Sequence, residues 1–471
     1  MTDNENQSTP DVAQRDELAH LISKFNPQMI AAQIDATTAL YAGDPDLQKP
    51  WEFFASNLSK QLLGKDDWSF LHIPVTQDYI DWADSQYGAF HQYEFSNSIP
   101  LWQGRYSQGP LSFYDAYKFI VLSYAIEYTA DASLQAKIRD KTYTLQQATR
   151  DLSDGYKQVE SAWVEFDTSQ RQHLPPHRWK SYDEWYADIG SATITPLKDR
   201  QTLVWAELQS LYNQIGLGAA ELGKAIANVN NDAYFLEATA PNGTRFAYPI
   251  YNVTPSLSDF VDATKANLRA NPNIVGWQFQ FDSQSTYRSE SSTSFGAGGG
   301  FSLGGGFAVN VGGHWEEHSI NTQSKNFSVG VKFAGFQQFE IKPGSWYSPS
   351  VLQLIQSGPW IPKSFVDRWV SQGKSIWGVG GLLPLQQLVA YVGLQPHITV
   401  SLETTDYSYY RRAYDANVGV SFFGIPLGGG GGHREDVTIT WHDNVSSFEL
   451  LDLSGKPVLV AVSTLPMPPH G

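Results

Sequence analysis

His314-Trp-Glu316-Glu-His318 is the stretch of this chain whose residue types could hold a metal ion. Two imidazoles and a carboxylate suit zinc or a similar cation. On a strand, His314, Glu316 and His318 share a face, with successive members about 6.8 Å apart along the chain. Neighbouring members could chelate one ion; all three would need a bend. The spacing is not His-Glu-x-x-His, where the glutamate follows the first histidine directly. His-x-Glu recurs at His433 and Glu435, so a structural role within a repeat competes with ligation. His173 and His177, in HLPPH, have no acidic partner at metal spacing and read as a surface turn.

Other local chemistry is sparse. The chain contains no cysteine, which excludes disulfides, thiolate sites and cysteine nucleophiles. No phosphate loop or nucleophile-elbow motif occurs, and the glycines of GAGGGF are not followed by a helical pattern. No cofactor is expected, and an enzyme with a site built from distant residues is left open. Arg288 and Arg411 are charged positions of a repeat, read as ion-pairing with Glu316 and Glu435 at the base of two excursions.

Those excursions are the most distinctive pattern. Residues 295–315 read FGAGGGFSLGGGFAVNVGGHW, with Phe295, Phe301, Leu303, Phe307, Val309, Val311 and Trp315 all at odd positions. Period two is the signature of a strand with one apolar face. The segments 295–303 and 307–315 flank three glycines, and a membrane-spanning strand needs about 9–11 residues. Phe327, Val329, Val331 and Phe333 alternate likewise, as do Tyr414, Ala416, Val418, Val420 and Phe422 in a second copy. The copies span approximately 277–345 and 398–455; Tyr287-Arg288 matches Tyr410-Arg411, and Phe339-Glu340 matches Phe448-Glu449. Aromatics in GSWYSP, with Trp369 and Trp377, would suit a membrane interface.

The elements that must carry these residues form two regions. From Leu134 to Phe166 and from Leu197 to Val229, apolar residues recur at spacings of three, four and seven, predicting two long antiparallel helices. Thr195 and Pro196 read as the N-cap and first residue of the second. FYDAYKFIVLSYAIEY reads as a buried core helix. Beyond residue 232, strand-like alternation dominates, apart from a short helix near 258–270 and a helical or irregular insert near 348–392. The expected fold class is α+β: a helical bundle-like domain over 1–232, then a β-rich, sandwich-like domain over 233–471 carrying two related glycine-rich β-hairpin excursions.

Charge and ends limit the partners. The chain has 32 basic and 48 acidic residues, net −16, with no basic block to attract nucleic acid. The first residues are polar and lack a signal-peptide pattern, and no run of about twenty apolar residues occurs. The expectation is a soluble chain, cytoplasmic by default, that forms homo-oligomers and engages a lipid membrane through its hairpins, pore formation included. Against it stands a non-enzymatic structural, self-assembling or binding protein whose hairpins pack within the soluble fold.

Overall fold

A computed structural model describes residues 45–64, 70–74, 80–82, 87–102, 105–106, 108–125, 132–214, 217–239, 245–285, 307–311, 314–318, 320–357, 361–362, 376–378, 381–415, 419–422, 425–428 and 436–468. Helix and sheet are both abundant, so the α+β expectation holds at that level. Two compact units share the chain. One comprises Tyr117–Phe235 and Ser345–Arg368; the other takes in Phe25–Ala116, Leu236–Gly344 and Trp369–Gly471.

The second unit is built on a nine-stranded sheet. Its strands, in chain order with those of a smaller sheet, are β1 (Leu71–Pro74), β2 (Arg105–Tyr106), β3 (Tyr251–Thr254), β4 (Trp277–Asp282), β5 (Phe307–Val311), β6 (His314–His318) and β7 (Ser328–Pro343). Then come β8 (Leu385–Ser401), β9 (Gly419–Phe422), β10 (Ile425–Gly428), β11 (Val437–His442), β12 (Ser447–Asp452) and β13 (Pro457–Pro466). The two longest, β7 and β8, pair antiparallel from Ser328 opposite Ser401 to Glu340 opposite Val389. The free edge of β7 takes β4 and β3, and that of β8 takes β12 and β13. β11 extends the sheet beyond β12, while β1 and then β2 extend it beyond β13.

Alternation decides which face is core. Phe279 and Phe281 on β4, Val329, Val331 and Phe333 on β7, Ile398 and Val400 on β8, and Phe448 and Leu450 on β12 are all buried. The residues between them, such as Gln278, Gln280, Lys332 and Thr399, are exposed. Helix α1 (Pro45–Leu63) covers the apolar face, Phe53 meeting Phe281 and Phe327 at ring-centre distances of 5.5 and 5.9 Å. The alternating run from Phe327 to Phe333, which resembles a lipid-spanning strand in sequence, is therefore core. Burial of each such ring contributes about 1.5–3 kcal/mol.

The helical unit contains α2 (Ala132–His173), α3 (Ser191–Asn213) and α4 (Leu217–Asn228). At 1.5 Å per residue, α2 is roughly 63 Å long. It runs antiparallel to α3, as Arg200–Asp151 at 2.8 Å and Lys141–Glu207 at 2.5 Å show. Leu152 and Val159 of α2 pack with Trp185 and Ile194. Gly155 permits the close approach, since a Cβ there would lie 2.5 Å from Leu197 Cδ1. The second helix starts earlier than its Thr195-Pro196 signal: α3 begins at Ser191, with Pro196 inside it, after a π-helical turn at Tyr186–Gly190. The wide turn lets the preceding helical turn run on into α3, so no cap is needed at Thr195. Trp346 is fully buried beside Tyr117, 5.8 Å between ring centres, so it anchors a core and offers no interface.

Two more expectations change. β1 and α1 belong with the β-rich unit, because β1 pairs with β13, Leu71 opposite Ser463. Thr404–Asp415, read as part of a strand, is a helix following α5 (Leu257–Ala270), and we call it α6. Tyr407 and Tyr410 are buried on one side of it, Asp406 is in its first turn and Arg412 in its last, charges that suit the helix dipole. The helical or irregular insert does contain a helix, Pro349–Ser357, and ends sooner, β8 starting at Leu385.

Candidate functional site

The four short strands β5, β6, β9 and β10 make a sheet of their own, in the order β6-β5-β9-β10. β5 and β6 pair antiparallel, with Val311 opposite His314, Val309 opposite Glu316 and Phe307 opposite His318. The other edge of β5 pairs antiparallel with β9, placing Phe307 opposite Phe422 and Val309 opposite Val420. Strands drawn from two stretches about a hundred residues apart thus share one ladder.

This geometry alters the nine-residue strand expected from Phe307 to Trp315. The chain reverses between Val311 and His314, and β5 has five residues. Gly312-Gly313 is the composition that a two-residue hairpin link favours. Reversal also changes the phase. Opposed positions share a face of a sheet, so 307, 309 and 311 share theirs with 314, 316 and 318. Trp315 falls opposite Asn310 on the other face.

The metal candidates His314, Glu316 and His318 therefore occupy alternate positions of β6, opposite three apolar positions of β5. Among the residues whose side chains are described, which do not include His314, Glu316 and His318, no group of three or more histidines and carboxylates is placed to hold a metal ion. Phe295, Phe301, Leu303, Arg288 and Glu435 lie outside the described residues. Arg411 sits on α6, paired with Asp415 at 2.9 Å, its guanidinium 5.1 Å from the ring centre of Trp441.

The polar contacts at the base of these strands come from residues that the sequence pattern does not single out. Asn321, just past β6, donates its backbone N–H to Asp406 Oδ2 at 3.0 Å and its side-chain amide to Glu403 Oε2 at 2.6 Å. Ile320 beside it is buried. The exit of the first excursion is thereby held to the entry of the second. Tyr407 donates to Asp443 Oδ1 at 2.5 Å, and Leu402 N–H donates to Ser446 O at 3.0 Å. Burial, reinforced by the Asp443 carboxylate, pushes the Tyr407 phenol up to about 12. Burial holds Tyr410 well above the ordinary tyrosine range. The only signal in sequence was the short polar run between two apolar patterns, which any surface turn would share.

Two carboxyls elsewhere are raised by burial. Glu94 is partly offset by His91, and Asp232 is partly offset by Lys198 and Lys118. They belong to different units. No described helix is long and apolar enough to cross a membrane. No protein-family model matches the chain, and no curated protein or solved structure matches it.

Proposed function

We propose that this chain is an oligomerising protein that engages membrane through its two glycine-rich β-hairpins. One observation carries the reading: β5 and β9, one from each excursion, are paired with each other in a sheet separate from the nine-stranded one. In that sheet apolar positions meet apolar positions, Phe307 with Phe422 and Val309 with Val420. The strands of five and four residues are shorter than the roughly 9–11 a bilayer requires, so this sheet is the stored form. Engagement requires β5 and β9 to part and lengthen. Glycine favours release, because each interior glycine weakens a strand by roughly 0.5–1 kcal/mol relative to alanine.

Oligomerisation follows from what lipid demands. Only a closed barrel satisfies every backbone group of a sheet in a bilayer, and one chain supplies too few strands. The outer strands β6 and β10 have one neighbour each among the described residues, leaving edges on which further copies would add. The duplication near 277–345 and 398–455 fits the same scheme. β4 leads into the first excursion and pairs with the returning β7; β8 leads into the second and pairs with β12.

A second reading draws on the same pairing: a completed β6-β5-β9-β10 sheet is also what hairpins packed permanently within the fold would form. Dye release from liposomes separates the two. Leakage that Val309→Asp abolishes supports insertion, and no leakage across lipid compositions and pH removes the membrane reading.

A further inference from the structure

We propose that β11 is an interface between two copies of this chain, distinct from the small sheet, pairing antiparallel with β11 of the other copy about a two-fold axis through Ile439. Among the described residues β11 is an outer strand of the large sheet, paired with β12 alone, and its ladder of six residues runs without a bulge. Two bonds near the ends of the ladders decide which backbone groups face outward. Leu453 N–H donates to Asp436 O at 2.8 Å, so 436, 438, 440 and 442 are the residues that bond to β12. Leu402 N–H donates to Ser446 O, which turns 446, 448 and 450 toward β8 and leaves 447, 449 and 451 for β11, in the same phase. The N–H and C=O groups of Val437, Ile439 and Trp441 therefore point away from the sheet. β10 comes near β11 and does not pair with it.

A second copy fits this edge because the strand is its own complement. Pairing centred on Ile439 sets Val437 opposite Trp441, Thr438 opposite Thr440 and Asp436 opposite His442 of the other copy, each contact occurring twice. The outward groups of Val437, Ile439 and Trp441 then fall in hydrogen-bonded pairs, each exchanging both of its bonds. Those three side chains are half-buried against the core, so in the pair the apolar layer continues from one sheet into the next. Thr438 and Thr440 meet on the exposed face, a favourable cross-strand pair. At each end the Asp436 carboxylate faces the His442 imidazole; both are exposed, and His442 makes no capping bond of its own. Between Val437 and Trp441 there is no charge, proline or glycine, the devices with which outer strands discourage such pairing.

The test is sedimentation equilibrium of the full chain without lipid, together with a cross-link that reads the register. The average mass of wild type is expected to rise with concentration above the 52.5 kDa of one chain and to level off at two copies. His442→Asp sets carboxylates against each other at both ends and should weaken the dimer about tenfold, while adding Asp436→His should restore it to within about twofold. Val437→Pro removes an outward N–H, leaves the bonds to β12 intact and should also weaken the dimer about tenfold. Far-ultraviolet circular dichroism should be unchanged in each. Thr438 and Thr440 of opposite copies would have Cα atoms about 4.5 Å apart, within the roughly 4.4–6.8 Å that a disulfide spans. Oxidation of Thr438→Cys with Thr440→Cys should therefore give a covalent dimer, and either substitution alone should not. Val309→Asp should dimerise as wild type even if it abolishes dye release, which keeps this interface distinct from the hairpins. The mass of one chain at every concentration, a mass that climbs past two copies, or single variants that cross-link as readily as the double one would overturn the proposal.

Discussion

Gly393→Ala is the sharpest test of the core geometry. Gly393 lies on β8 opposite Phe336, and a Cβ built there would sit 2.2 Å from Cδ1 of Phe333. Carbon atoms in contact prefer about 3.5–4.0 Å, so the ring would have to retreat by about 1.3 Å or more. It has nowhere to go: Phe333 is fully buried, with Trp277 and Phe336 at ring-centre distances of 6.0 and 5.9 Å. Overpacking of a filled core costs typically 1–3 kcal/mol, and the depth of this overlap puts the expected loss at about 3 kcal/mol. Phe333→Leu alone should cost roughly 1–1.5 kcal/mol through lost ring contacts. Combined, the two substitutions should cost less than their sum by at least about 1 kcal/mol, because the smaller side chain makes room for the methyl group. Urea titration followed by near-ultraviolet circular dichroism reads all three. A Gly393→Ala loss below about 1 kcal/mol, or strict additivity, would refute the packing argument.

Asn97 ties three segments together: it accepts from Tyr114 N–H and Tyr251 OH, each at 2.9 Å, and donates to Ser112 Oγ at 2.8 Å. Asn97→Ala should therefore cost roughly 2–3 kcal/mol by urea titration, against about 1 for Tyr251→Phe. Tyr407 predicts an alkaline limb: its phenol loses its proton near pH 10 when unfolded but near 12 when folded, so the stability it contributes is intact below pH 10 and lost as pH rises toward 12. Tyr407→Phe should make the fall in melting temperature between pH 10 and 12 shallower, and an unchanged slope would count against it. Asn321→Ala should loosen the joined bases of the hairpins, speeding amide exchange in β5 and β9 more than in β7 and β8. Equal rates would mean that the side-chain contact to Glu403 does not restrain the small sheet.

Period carried much of the fold. The stripe through Leu152 and Val159 marks α2 and alternation through Val329, Val331 and Phe333 marks β7, whereas the cap read at Thr195 falls inside α3 and the cap of α5, Ser256, lies two residues before the expected start. What stayed hidden depends on contacts between distant residues. Nothing near residue 71 indicates that β1 will pair with Ser463, almost four hundred residues later. The tyrosines of α6 favour strands by propensity, and burial of Tyr407 and Tyr410 on one helical face outweighs that preference. Period two through 307–315 is genuine in composition, yet the reversal after Val311 puts Trp315 on the opposite face. A single extra or missing residue in a link reverses every facing assignment that follows.

Among the described residues, Phe307 and Val309 of the first excursion meet Phe422 and Val420 of the second through the β5–β9 pairing, and a chain without cysteine allows that pairing to be locked cleanly. Val309→Cys with Val420→Cys places two thiols at opposed positions of the ladder. Liposome dye release by the oxidised double variant, compared with the same protein after reduction, is the most direct measurement. Stored hairpins that must separate predict no release while the disulfide is intact and release at the wild-type rate once it is reduced. Equal release in both states, with the disulfide confirmed by mass, would contradict the account.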